Sequence, residues 1–125
     1  MNCDKPLKGK TTVKGSLANC SGGITPWNTF LTCEENYDSY YGDIEYDENN
    51  NPIKIASRYG WDKFYDYPPE HYGWVVEIDP KGGMAKKHIA LGRFAHECCT
   101  LFQLEDNRIV AYTGDDLSLI HIWRC

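Results

Sequence analysis

The 125-residue sequence contains no apolar run of 18 or more residues, which excludes a helix that crosses a bilayer. It has no surplus of base either. Thirteen Lys and Arg stand against 18 Asp and Glu, a formal charge of -5. A nucleic-acid backbone binder needs clustered cations, so that class of partner is excluded along with the membrane. Six cysteines are present, yet no CxxC pair, no Cys/His zinc spacing and no regular cysteine ladder occurs. Cys98 and Cys99 are neighbours, and bridging them would strain the geometry that a disulfide requires. No segment sustains a 3.6-residue apolar period, so helix is expected to be scarce. No internal repeat stands out. Met1 to Pro6 lack the basic stretch followed by an apolar one that marks an export leader.

What the chain does have is 42% hydrophobic residues, enough for a core in one ordinary domain at most. Residues 1–23 carry five Gly or Pro breakers and read as an extended segment with one short strand around Thr11–Val13. Ile24 to Cys33 is rich in β-branched and aromatic residues, and Pro26 disfavours helix there. A strand is expected from Trp27. Glu34 to Asn51 holds seven acids and reads as a long surface loop closing in the turn Asn49-Asn50-Asn51-Pro52. Eight of the nine tyrosines lie between Tyr37 and Tyr72. Such a loop could hold calcium, although Asp43-x-Glu45-x-Asp47 lacks the Gly and final Glu of an EF-hand. A solvated loop with rings packed on the surface is the simpler reading.

From Pro52 onward the pattern is all β. Ile53–Ala56 is a short strand. Trp74–Asp79 and Met84–Leu91 flank the turn Pro80-Lys81-Gly82-Gly83, a hairpin. Thr100–Leu104 and Arg108–Tyr112 flank Glu105-Asp106-Asn107, a second one. Short strands joined by tight turns suggest a sandwich or the blades of a propeller.

Three places gather reactive side chains. The first is Cys33-Glu34-Glu35 at a strand end. A soft thiolate beside hard carboxylates suits a transition metal such as iron, with calcium as a neighbour the carboxylates would accept. In an unbroken strand Cys33 and Glu35 share a face while Glu34 points away, so Cys33 and Glu34 converge only if the strand stops there. A buried sulfur followed by loop carboxylates would look the same. The second is Arg93, His96 and Glu97, which could bind an oxyanion and a metal together, or form a turn with a surface ion pair. The third is Gly114-Asp115-Asp116, paired carboxylates that equally fit ordinary turn chemistry. The cysteines other than Cys33 read as reduced and buried.

Longer motifs separate these readings. Asn19-Cys20-Ser21-Gly22-Gly23-Ile24-Thr25-Pro26-Trp27, Leu31-Thr32-Cys33-Glu34-Glu35-Asn36, the run His71 to Pro80, the run Ala90 to Glu97 and the run Val110 to Asp116 resemble, in that order, the signature of the PhoX alkaline phosphatase family. The resemblance covers about residues 13 to 116. It implies an all-β fold, one to two blades of a larger β-propeller. It further implies hydrolysis of small-molecule phosphate monoesters by an iron and calcium cluster, in a monomeric parent exported to the periplasm. Carried over to this sequence, it makes Cys33, Glu34 and Glu97 metal ligands, with the Cys33 thiolate on iron. Asp115 and Asp116 become further, weaker candidate ligands, and Arg93 and His96 candidate catalytic residues. Cys98-Cys99 departs from the small residues expected after His96-Glu97. A calcium-dependent propeller lactonase or esterase, and a non-catalytic metal-binding propeller, are the alternatives, since neither needs Cys33.

The last nine residues, Leu117 to Cys125, resemble a translated transposon-end sequencing adapter, with its TGA codon read as Trp123. On that reading the phosphatase-like segment is 1–116, the tail is 117–125, and the segment stops inside a domain. Five cysteines then remain: Cys3, Cys20, Cys33, Cys98 and Cys99. The missing leader is a consequence of the same truncation. Such a fragment, on its own, is expected to be inactive.

Overall fold

The computed structural model describes residues 1–116. The strands run in chain order as β1 (Asn2–Leu7), β2 (Lys10–Thr12), β3 (Asn19–Ile24), β4 (Phe30–Glu34), β5 (Asp43–Tyr46), β6 (Pro52–Ile55), β7 (Val75–Ile78), β8 (Ala85–His88), β9 (His96–Gln103) and β10 (Ile109–Asp115). One five-residue helix, α1 (Tyr37–Tyr41), follows β4, and short 3-10 turns lie at Trp61–Lys63, Pro69–His71 and Ile89–Leu91. The all-β expectation holds. Six strands form one sheet in the order β2-β1-β8-β7-β4-β3, in which β1 runs parallel to β8 and the other neighbours are antiparallel. The β9–β10 and β5–β6 hairpins form separate two-stranded ladders.

Both expected hairpins form, with bounds shifted by a few residues. β7 and β8 pair from Val75↔His88 to Ile78↔Ala85 around a turn in which Asp79 accepts from the Lys81 N–H at 2.8 Å. The strand expected from Trp27 starts at Phe30. Thr25 and Thr29 close a tight turn first, with the Thr29 N–H on the Thr25 hydroxyl at 3.0 Å and Asn28 at φ 65°. The acidic stretch expected as one loop is instead α1 followed by a hairpin. Its turn is built by Asp47, whose carboxylate accepts from the Asn49 and Asn51 backbone at 2.9 and 2.7 Å. Asn2–Leu7, read as extended, pairs with β2 and β8.

Two small cores result. Leu31, Cys33, Val75 and Cys99 pack between the main sheet and the β9–β10 hairpin, with Leu91, Leu101 and Ala111 around them. Leu17, Tyr37, Tyr41 and Tyr72 pack beneath α1. The hairpin lies so close on β3 that a Cβ at Gly23 would come within 2.8 Å of the Cys99 carbonyl oxygen. At Gly22 the room is smaller still, 1.8 Å to the Leu31 carbonyl oxygen, so only glycine fits there.

Candidate metal centre

Two β-bulges shape the region where the sequence places its reactive residues. On β3 the pairs Asn19↔Glu34 and Gly22↔Thr32 leave Cys20 and Ser21 opposite the single residue Cys33. On β9 the pairs His96↔Asp115 and Cys99↔Thr113 leave Glu97 and Cys98 opposite Gly114. A bulge breaks strict alternation and re-aims the side chains it carries. Here it turns Cys20 and Glu97 outward near one another.

The carboxylates that meet there are Glu35, Glu97 and Asp116. One oxygen from each lies within 4.8 Å of the other two. Glu35 is 9% exposed and is held by the Asn36 amide, which donates to it at 2.7 Å. Its backbone N–H is anchored on the Ala18 carbonyl at 3.2 Å. The Asp116 N–H bonds the Ala95 carbonyl at 3.2 Å, which fixes the end of β10 beside the start of β9. Cys20 borders the group, close enough to Glu35 and Glu97 to feel their charge. The Ser21 N–H acts to lower the Cys20 thiol, but the Glu35 hydrogen bond, partial desolvation and the charges of Glu35 and Glu97 prevail and raise it.

Of the ligands expected from the sequence, the structure brings Glu97 and Asp116 into this group. Cys33 is 0% exposed, among Leu31, Val75 and Cys99. Burial, then the neighbouring sulfurs of Cys99, Cys98 and Cys20, push its thiol up to about 12. Without a cation beside it, a thiol so placed stays protonated. Glu34 is also fully buried, and its lone pairs are taken. Oε1 accepts from the Leu17 N–H at 2.9 Å and Oε2 from the Trp74 N–H at 3.0 Å, while the Lys87 ammonium donates to both at 2.7 and 2.8 Å. Lys87 gives a third bond to the His71 carbonyl at 2.7 Å. Burial lowers the Lys87 ammonium and Glu34 opposes it. Glu34 therefore serves as the hub of a buried ion pair that ties the strand end to three other segments. Asp115 pairs with His96 across the hairpin and lies outside the carboxylate group.

The two candidate catalytic residues are likewise engaged elsewhere. Arg93 donates to Asp43 at 2.9 and 3.3 Å, to the Tyr72 carbonyl at 2.8 Å and to the Pro69 carbonyl at 3.1 Å, and stacks over the Tyr37 ring. It clasps the β5–β6 hairpin to the main sheet. His96 is fully buried, with Nδ1 2.8 Å from the Thr113 hydroxyl and Nε2 3.0 Å from the Gly92 carbonyl. Burial lowers its basicity, so the ring is neutral.

Sequence reasoning placed Glu35 and Asp116 inside reactive clusters, gave Asp116 only as a weaker ligand candidate and Glu35 no ligand role, and quoted Cys20 only as part of a motif. The signal available for Glu35 was strand alternation, which separates it from Glu34. For Cys20 it was the Gly-Gly pair after it, a mark of close backbone approach and irregular pairing. The adapter-like tail, Leu117 to Cys125, lies outside the described residues. Among the described residues no helix is long and apolar enough to cross a membrane.

The described residues thus form an all-β scaffold with three carboxylates and a thiol gathered beside bulged strands. The family model described as "Alkaline phosphatase PhoX" matches residues 4–125. The chain belongs to the PhoX alkaline phosphatase family. It is also similar to the solved structure of Pseudomonas fluorescens PhoX in complex with vanadate, a transition state analogue, with 39% sequence identity and a TM-score of 0.68. That likeness covers 83% of this chain and 21% of the other, so the chain spans about a fifth of the PhoX chain it matches. Among curated protein sequences none matches significantly.

Proposed function

We propose that the protein to which this segment belongs hydrolyses phosphate monoesters at a metal centre for which Glu35, Glu97 and Asp116 are ligands. The observation that carries the reading is the meeting of those three carboxylates, from three separate segments, in a chain of the PhoX family. The donor set fits calcium. Ions of this kind sit about 2.4 Å from each oxygen, so they accommodate ligands up to about 4.8 Å apart, the limit observed for this group. Cys20 offers the soft donor that iron favours over calcium. A cation between the carboxylates would reverse the local charge at Cys20 and favour its thiolate. Cys20 thus replaces Cys33 as the proposed iron ligand.

When bound, such cations neutralise phosphate oxygens and lower the barrier to in-line displacement at phosphorus. The residues of this chain hold and orient. Glu35 is fixed by Asn36 and Ala18, Asp116 by Ala95, and Glu97 by its bulge. The rest of the site belongs to the remainder of the protein. The antiparallel run β3-β4-β7-β8 fits one propeller blade, and β9–β10 the start of the next. Vanadate binding by the Pseudomonas protein supports a phosphoryl substrate, and the family match favours this reading over the lactonase and the non-catalytic propeller. Export to the periplasm and action as a monomer belong to the same proposal.

The test is made in the full-length protein with p-nitrophenyl phosphate and elemental analysis. Glu35→Gln and Asp116→Asn should each lower kcat/KM by at least 100-fold and reduce bound calcium. Cys20→Ala should remove iron, while Cys33→Ala leaves iron in place. Wild-type activity and metal content in Glu35→Gln and Asp116→Asn would overturn the assignment.

A further inference from the structure

The two hydrogen bonds of His96 have a definite direction. The Gly92 carbonyl can only accept, so the ring nitrogen facing it, Nε2 at 3.0 Å, carries the proton. In a neutral ring Nδ1 is then a bare acceptor, and the Thr113 hydroxyl at 2.8 Å must donate to it. One buried ring thereby joins three points: the turn before β9, the first residue of β9 and the end of β10. The bulge lies just beyond this junction, with Glu97 and Cys98 opposite Gly114. On either side of it stand Glu97, next in sequence to His96, and Asp116, whose N–H is bonded to Ala95. The Phe94 ring, 3.6 Å from the imidazole between centroids, closes the near side and restricts rotation of the imidazole. The charged and titratable neighbours are few: Asp115 is the acid facing the ring.

We infer that His96 is a positioning residue that sets the spacing of Glu97 and Asp116 by bracing Thr113 against Gly92, with Nε2 donating to the Gly92 carbonyl. This goes beyond the assignment of ligands and rests on it only for the effect on metal. Removing the Thr113 hydroxyl leaves Nδ1 buried without a donor and frees the β10 end to drift. Partners that orient metal ligands from behind are worth about 10- to 100-fold in metal affinity, and one covalent step further back the lower figure applies.

Three measurements test the brace. In calcium titrations of the full-length protein, Thr113→Val should bind calcium about tenfold more weakly, while Thr113→Ser, which keeps the hydroxyl, stays within about twofold of wild type. Amide hydrogen exchange needs no metal. There the Asp116 amide should exchange about tenfold faster in Thr113→Val, with the β7–β8 amides unchanged. Nitrogen-15 spectra of the unmutated protein should show His96 protonated on Nε2. That readout keeps the inference testable if Thr113→Val does not fold. A ring without a proton on Nε2 would overturn it, as would wild-type exchange of Asp116 in a folded Thr113→Val. Failure of the unmutated protein to bind calcium would refute the ligand assignment instead, with the exchange and tautomer results still deciding the brace.

Discussion

The sharpest energetic consequence of the fold is at Lys87. Its ammonium and the Glu34 carboxylate are both 0% exposed and are joined by bonds of 2.7 and 2.8 Å. Replacing Lys87 by Met keeps most of the side-chain volume but leaves Glu34 charged, buried and held only by the Leu17 and Trp74 amides. It also strips the His71 carbonyl of its 2.7 Å donor. Breaking a buried pair from one side costs about 3–5 kcal/mol, and a buried carbonyl left without a donor costs about 1 kcal/mol more. A loss of about 4–6 kcal/mol is therefore expected, a large share of the roughly 5–15 kcal/mol that holds a typical domain folded. Urea unfolding followed by tryptophan fluorescence reads this directly, because Trp74 is buried and its backbone N–H is one of the remaining Glu34 donors. The double variant Glu34→Gln/Lys87→Met removes the stranded charge and should recover more than half of the loss. A destabilisation under about 1 kcal/mol for Lys87→Met, or no recovery in the double variant, would refute the reasoning.

Two other outcomes follow from the electrostatics and burial. Burial acts to raise the Glu77 carboxyl, but hydrogen bonds from Thr29, Trp27, Lys86 and His88 prevail and hold it down to about 2, from an ordinary 4.5. A depressed acid contributes stability that is present above its unfolded value and lost as pH falls. Acid titration should thus remove on the order of 3 kcal/mol between about pH 4.5 and 2, and Glu77→Gln should flatten that slope. An unchanged slope in the variant would contradict the account. Separately, iodoacetamide at pH 7.5 should label exposed Cys20 while buried Cys33 and Cys99 stay unmodified in the folded, metal-free chain. Mass spectrometry showing Cys33 alkylated as fast as Cys20 would place the reactive thiol where the sequence put it.

Much of the sheet was legible because its signals are local. Pro80-Lys81-Gly82-Gly83 and Asp106-Asn107 sit between alternating runs, and both hairpins form there. The helix α1 was not legible, since five residues are too few for an apolar period to show. The β5–β6 hairpin was hidden by its acids, and its turn depends on one side chain, Asp47. The carboxylate group shows the limit more clearly. Whether Glu34 or Glu35 faces the cluster depends on Lys87, 53 residues away, which draws Glu34 inward. Alternation in the Cys33-Glu34-Glu35 run separates the two carboxylates but does not say which of them faces the cluster. The bulges at Cys20 and Glu97 are equally non-local, because each is defined only against its partner strand. The motifs still led to the correct family, and they contain both Glu35 and Asp116.

The most direct test of the metal assignment is an anomalous difference map from crystals of the metal-loaded full-length protein, recorded at the iron edge and at long wavelength for calcium. Cation density should lie among Glu35, Glu97 and Asp116, with the Cys20 sulfur in contact with iron. Density in contact with Cys33 and Glu34, with none among the three carboxylates, would contradict the assignment.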